Sequence, residues 1–173
     1  MSKHVAVILG GWSAEREVSL SSGRECAKAL REKGYDVTEI DATRDLAGQL
    51  TAIDPKPDVI FNALHGRWGE DGAVQGLLEI LNIPYTHSGV RASAIAMDKM
   101  SAKAMFAEYE IPCARHVWVT RGDIANGKAL PPPYVLKPNN EGSSVGVEII
   151  LTPEEEQNML ARDWVHGDGI MQE

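Results

Sequence analysis

The sequence is poor in the features that mark several protein classes. It has no long hydrophobic run. Its most apolar early stretch, Val5–Leu9, falls far short of the roughly 20 residues of a membrane helix. It is also shorter than the roughly 7–15 residues of a secretory h-region. A cytoplasmic location follows as the default, with no membrane partner. Cysteine is scarce: Cys26 and Cys113 are far apart and form no CxxC pair, so a disulfide framework or a cysteine-based zinc site is not expected. Both are read as buried thiols in a reducing compartment. Basic charge is scarce too. The 17 Lys and Arg are outnumbered by 25 Asp and Glu, for a net charge of −8, and no basic cluster exists. A nucleic-acid footprint is therefore not expected. A nucleotide ligand stays open, because a few lysines and backbone amides suffice to bind phosphate. Internal repeats and low-complexity tracts are absent as well.

What is present is a patterned globular sequence, 43% hydrophobic and so able to build a core. Val5–Leu9, stopped by Gly10 and Gly11, reads as a strand buried on both faces. Residues 14–33 read as a helix closed by Gly34, with Val18, Cys26 and Leu30 as its inner stripe. Residues 36–40 read as a second strand and 43–53 as a short helix before Pro55 and Pro57. Residues 59–64 read as a third strand. Val74, Leu77, Leu78 and Leu81 recur at helical spacing. Pro84–Thr86 is a short strand candidate. Strand and helix alternate through this half, which predicts an α/β fold with a parallel sheet and crossover helices.

The character changes near Gly89. Asp98 can cap a helix over 99–110 that Pro112 ends. Residues 117–119 read as a strand and 122–133 as a loop or frayed helix. Residues 134–137 and 147–151 read as strands joined by a Gly/Ser loop, a hairpin-like pattern and not a crossover. Pro153 opens a helix whose residues 154–156 are acidic, favourable to its dipole. Residues 169–172 look like the start of a strand, and the sequence stops at Glu173 within it, where a domain end is not expected.

Four segments carry candidate chemistry. The first is Gly10-Gly11-Trp12-Ser13-Ala14-Glu15, at a strand's carboxyl end where α/β sheets collect ligands. It is no dinucleotide fingerprint: GxGxxG is missing, and Asp41 lies well past the roughly 20 residues expected for the ribose acid. It can present Glu15 to a substrate ammonium, or it can be a plain turn with a helix-start acid. The second is His65–Gly72, with three glycines around His, Arg, Glu and Asp. His65 can bond a carboxylate or assist proton transfer, and no second histidine stands at zinc-ligand spacing. An ordinary loop is the alternative. The third is Lys137–Val147: a strand-end lysine, then Gly142, Ser143, Ser144 and Gly146, whose amides and hydroxyls can converge on phosphate. It is not a Walker A loop; a flexible hairpin is the alternative. The fourth is Met97-Asp98-Lys99, where Lys99 can reach a phosphate with help from the helix N-terminus, or can simply be solvated.

Together, GGWSAEREVSL (10–20), ALHGRWGEDGAVQGLLE (63–79), IPYTHSGV (83–90), AMDKMSAK (96–103) and VLKPNNEGSSVGV (135–147) resemble the D-alanine–D-alanine ligases of the ATP-grasp superfamily. The resemblance covers essentially the whole chain, in family order and spacing. It implies an N-terminal parallel-sheet, Rossmann-like pre-ATP-grasp domain over 1–90, then the first α+β part of an ATP-grasp domain over 91–173. It implies ATP, magnesium or manganese, and D-alanine as ligands, with ATP phosphorylating one D-alanine before a second attacks. It gives Glu15 the first substrate's ammonium and places His65 near its carboxylate. Lys99 and Lys137 are given the ATP phosphates. Ser143 enters the catalytic network over those phosphates, Ser144 lies beside it, and Glu173 falls where an adenine-contacting hinge begins. Metal ligands, a transition-state arginine and the second-substrate loop are expected beyond residue 173, so no metal ligand is assigned here and the piece alone is expected to be inactive. A homodimer is expected of the full-length protein. Trp12 and Trp68 stand at loop positions where smaller residues are expected. A D-lactate or D-serine ligase, and a non-catalytic nucleotide-binding module, are the alternatives.

Overall fold

Strand β1 (His4–Gly10) is buried along its whole length, and that is the reason for its unbroken apolar run. The computed structural model, which describes residues 2–167 and 170–173, shows both of its faces covered. Val5, Val7 and Leu9 pack on one side with Ala27 of helix α1 (Arg16–Glu32). Ala6 and Ile8 pack on the other with Leu46 and Leu50 of α2 (Leu46–Thr51) and Val74 and Leu78 of α3 (Ala73–Ile80). Strands β2 (Asp36–Ala42) and β3 (Val59–Asn62) flank β1, both parallel to it, giving the order β2-β1-β3. Helices on both faces of a parallel sheet are the outcome that the alternating pattern predicted.

Several expectations change in detail. The inner face of α1 is Ser19, Gly23 and Ala27, whereas Val18 is 56% exposed. The reason is proximity: a Cβ on Gly23 would lie 2.5 Å from Leu9 Cβ, so only small residues fit where the helix crosses β1. The cysteines are not buried: Cys26 is half-buried and Cys113 is exposed. Pro84–Thr86 makes a single parallel bridge, Tyr85 to Ile60, and not a strand, because Pro84 has no N–H to donate and His87 turns away at φ 83°.

The chain divides into two compact units, Met1–Ala94 and Ile95–Glu173, with the division inside α4 (Val90–Met97). In the second unit, α5 (Lys99–Glu108) is capped by Asp98, whose side chain accepts from the Ser101 N–H at 2.7 Å. The sheet has the order β4-β7-β5-β6, with all pairs antiparallel: β4 (Val117–Val119), β5 (Tyr134–Pro138), β6 (Glu148–Ile150) and β7 (Ile170–Gln172). Gly169, expected in the last strand, lies outside the described residues. The stretch expected as loop or frayed helix contains α6 (Arg121–Ala125), which a capping box between Thr120 and Asp123 nucleates. Helix α7 (Pro153–Leu160) has Thr152 as its N-cap and three acids in its first turn. The core joins Leu136, Ile150 and Ile170 from the sheet to Ile124 and Met159 from the helices.

Gly23→Ala tests the contact between α1 and β1. Alanine favours helix by about 0.8–1.0 kcal/mol over glycine in an open position. Here overpacking against Leu9 is expected to reverse the sign and destabilise by about 1–3 kcal/mol in urea unfolding.

Candidate active site

At the carboxyl end of β1 the chain turns through Gly10 (φ 74°) and Gly11 (φ 76°), the left-handed region that glycine enters without strain. Gly10 has no space for a side chain, because a Cβ would collide with the Asp41 carboxyl group and the Arg16 guanidinium. Those two groups form a bidentate pair, 2.7 Å at both contacts. The Arg16 hydrogen bond holds the Asp41 carboxyl below its usual range, and Asp41 raises Arg16 in turn. Asp41 is thus occupied by an arginine, in keeping with the rejected dinucleotide reading.

The turn delivers Glu15 to the head of α1. Glu15 is 5% exposed, and its Oε2 is buried without a hydrogen-bond partner among the described residues. Ser13 Oγ accepts from the Glu15 N–H (3.1 Å) and donates to the His65 carbonyl (2.8 Å), tying this turn to the 65–72 loop. Gly66 lies against Glu15: a Cβ there would strike Oε2, and its φ of 71° adds strain for any other residue. The Gly66 N–H donates to Glu70 Oε2 (2.6 Å), and His65 Nε2 lies 2.9 Å from Ser22 Oγ. The loop is anchored from below. The Gly69 carbonyl accepts from Asn62 Nδ2 (2.8 Å) and Gln75 Nε2 (2.9 Å). Glu15 and His65, fifty residues apart, are therefore brought to neighbouring turns. Ser13 and Gly66 lie within the two segments already singled out, whereas Ser22 and Gln75, which anchor the 65–72 loop, were missed, since polar helix residues announce nothing until their partners are known.

The two unexpected tryptophans face each other across these loops. Their ring centroids are 6.1 Å apart, and the Arg44 guanidinium stands 4.8 Å from Trp12 and 5.5 Å from Trp68. They border a cleft of about 180 Å³ whose apolar wall includes Leu46, Leu64 and Leu77.

In the second unit, Lys137 at the end of β5 pairs with Glu173, which also receives Lys103 Nζ at 2.6 Å. Lys99 Nζ donates to three carbonyls, those of Pro138 (2.8 Å), Asn139 (3.3 Å) and Glu141 (2.5 Å). That uses all three ammonium donors. The first N–H groups of α5 are also spent, on Asn139 O, Asn139 Oδ1 and Asp98 Oδ1, so the helix N-terminus is not open to a phosphate as expected. Burial and the neighbouring Lys137 charge lower the Lys99 pKa. Burial works to raise the Glu173 pKa, but hydrogen bonds from Lys103 and Lys137 outweigh it and the net shift is downward. Two ammonium groups, those of Lys103 and Lys137, thus share the Glu173 carboxylate, while Lys99, within reach of the Lys137 charge, is held by backbone carbonyls. Lys103 was missed, although it follows Lys99 by one helical turn and shares its face.

Ser143 (φ 45°) and Ser144 (φ 61°) are exposed and both left-handed, an uncommon conformation for non-glycine residues that clusters at ligand sites. Gly146 packs so closely on His166 and Pro138 that a Cβ would fall 2.6 Å from the His166 ring. Among the described residues, no group of three or more His, Cys, Asp or Glu side chains is placed to hold a metal ion. The residues here do not fit a metal centre, and no step is assigned to one.

The family described as D-ala D-ala ligase N-terminus matches residues 47–88. A D-alanine–D-alanine ligase of Parvibaculum lavamentivorans is 59% identical over 99% of this chain and 56% of its own length. That of Acidiphilium cryptum is 56% identical over 99% of this chain and 57% of its own length. Along nearly its whole length the chain is similar to the N-terminal portion of these ligases. It spans about 56% of the length of such curated relatives. The ligase of Bacillus anthracis superposes with a TM-score of 0.82 at 33% identity, covering 99% of this chain and 57% of that one. The same ligase complexed with ATP gives 0.81 at 32% identity, covering 100% and 56%.

The pairing of Glu173 makes a pH prediction. A carboxyl whose folded pKa is depressed contributes stability above its unfolded pKa, and that contribution is lost as the pH falls through the folded value. Thermal unfolding followed downward from about pH 6 is therefore expected to show a loss below the ordinary 4.5 that Glu173→Gln reduces.

Proposed function

We propose that this chain supplies the first-substrate site and part of the ATP site of a D-alanine–D-alanine ligase. The carrying observation is the buried, unpartnered Oε2 of Glu15, closed in by Gly66. Leaving a buried acceptor unmet costs about 1–3 kcal/mol, more for a charged group. A ligand ammonium reaching that oxygen supplies both the donor and the opposite charge. The α-amino group of D-alanine has that chemistry, and the relatives' name supports the choice of amino acid. Arg44 and Arg67, stacked on Trp68, add positive charge to the rim of the same loops.

The reaction proposed is ligation through an acylphosphate. A carboxylate is a poor acyl donor, so the γ-phosphoryl of ATP is passed to the first D-alanine, and the second amine then displaces phosphate. The charge on that phosphoryl group needs cations and amides around it. Lys137, Ser143 and Ser144 are assigned to the phosphates. Lys99 takes part by exchanging one of its three carbonyls for a phosphate oxygen. Glu173 lies beside the nucleotide and draws Lys103 and Lys137 together. The magnesium that the family resemblance implies has no ligand set among the described residues, and no role is given to it here. Peptidoglycan synthesis in the cytoplasm, by a homodimer, is the setting that this reading proposes.

Amide NMR of the chain tests the substrate site. D-alanine is expected to shift resonances of residues 10–15 and 65–72, and Glu15→Gln to weaken binding by about 10–100-fold, the worth of a charged hydrogen bond. No shift with D-alanine, or equal binding by the variant, would sink this assignment. ATP is expected to shift residues 142–146, and Lys137→Met to abolish that response. The 173 residues alone are expected to release no phosphate from ATP with D-alanine. Turnover matching a full-length ligase would refute this last point.

A further inference from the structure

The contacts of Ser22 determine which nitrogen of His65 carries its proton. Ser22 Oγ lies 2.9 Å from the Val18 carbonyl and 2.9 Å from His65 Nε2, with the Ser19 carbonyl more distant at 3.4 Å. A hydroxyl has one proton to donate. If it goes to Val18, the oxygen accepts from a proton on Nε2, and both short contacts are hydrogen bonds. If it goes to His65 Nε2, the ring proton must sit on Nδ1. The nearby carboxylate there, Glu70 Oε1, is 4.0 Å away, too far for a hydrogen bond. The first arrangement makes two bonds and the second makes one.

We infer that Ser22 is a positioning residue that holds His65 in the Nε2–H tautomer, leaving Nδ1 as the only ring lone pair a ligand can meet. Ser13 fixes the other end of the residue by donating to the His65 carbonyl at 2.8 Å. Two serines that bracket Glu15 in sequence thereby set both the backbone and the ring of His65. The consequence, which rests on the D-alanine reading above, concerns substrate recognition. A neutral His65 meets the substrate as an acceptor of an N–H or O–H. A substrate carboxylate is met only by a ring protonated at Nδ1 as well.

Histidine-labelled chain, observed by long-range proton–nitrogen NMR at about pH 8, gives the test. The expected spectrum has a protonated Nε2, an unprotonated Nδ1 and an Nε2 proton protected from exchange. Ser22→Thr keeps the hydroxyl and is expected to preserve the protection. Ser22→Ala is expected to speed exchange of that proton by about tenfold or more. A wild-type ring protonated at Nδ1 overturns the inference, and so does an Nε2 proton that exchanges equally fast in wild type and Ser22→Ala. If Ser22→Ala does not fold, the wild-type and Ser22→Thr spectra decide. D-alanine added to the same sample separates the two claims. No response with the tautomer as expected removes the substrate reading alone. A response with the wrong tautomer removes the role of Ser22 alone.

Discussion

The first unit depends on how closely the backbone can approach a buried acid. Glu15 is held under the 65–72 loop with one carboxyl oxygen unmet, and this is possible only because residue 66 has no side chain. The same economy of volume runs through the unit. Gly23 lets α1 lie on β1, and Gly10 makes room for the Arg16–Asp41 pair. Each glycine removes a methyl group where a functional or packing group needs the space. An unmet buried acceptor works against folding, and the doubly covered parallel sheet beneath it supplies the stability to keep it.

The second unit solves a different electrostatic problem. Lys99, Lys103 and Lys137 lie close to one another, and like charges gathered in this way repel. Two devices offset the repulsion: Glu173 pairs with two of the lysines, and three backbone carbonyls surround the third. The Lys99 pKa is lowered, first by burial and then by the Lys137 charge. The left-handed Ser143 and Ser144 that follow β5 hold backbone strain in the adjoining loop.

Much of this was legible beforehand, for identifiable reasons. A continuous apolar run stopped by two glycines can only be a strand covered on both faces, so β1 was readable. Helical spacing of Val74, Leu78 and their neighbours gave α3. The lysine followed by a Gly/Ser loop gave β5, its turn and β6. The errors have reasons too. Val18 was assigned inward because it is apolar, but α1 crosses β1 so closely that small residues won the inner face. The capping box that makes α6 was overlooked because its helix is only five residues long. Cys113 was placed inside on the habit of its residue type, and a single residue carries no periodicity to correct that.

Local order and chemical vocabulary were determined by the sequence alone: the alternation of strands and helices, the three polar loops, and the family that they resemble. Those follow from periodicity, turn residues and motifs, all of which act over a few neighbours. Partnership was decided by the tertiary structure. Ser22 meets His65 across 43 residues, and Lys103 meets Glu173 across 70. A hydrogen bond or ion pair is fixed by where two side chains end in space. Their distance along the chain says nothing of it until the sheets have closed.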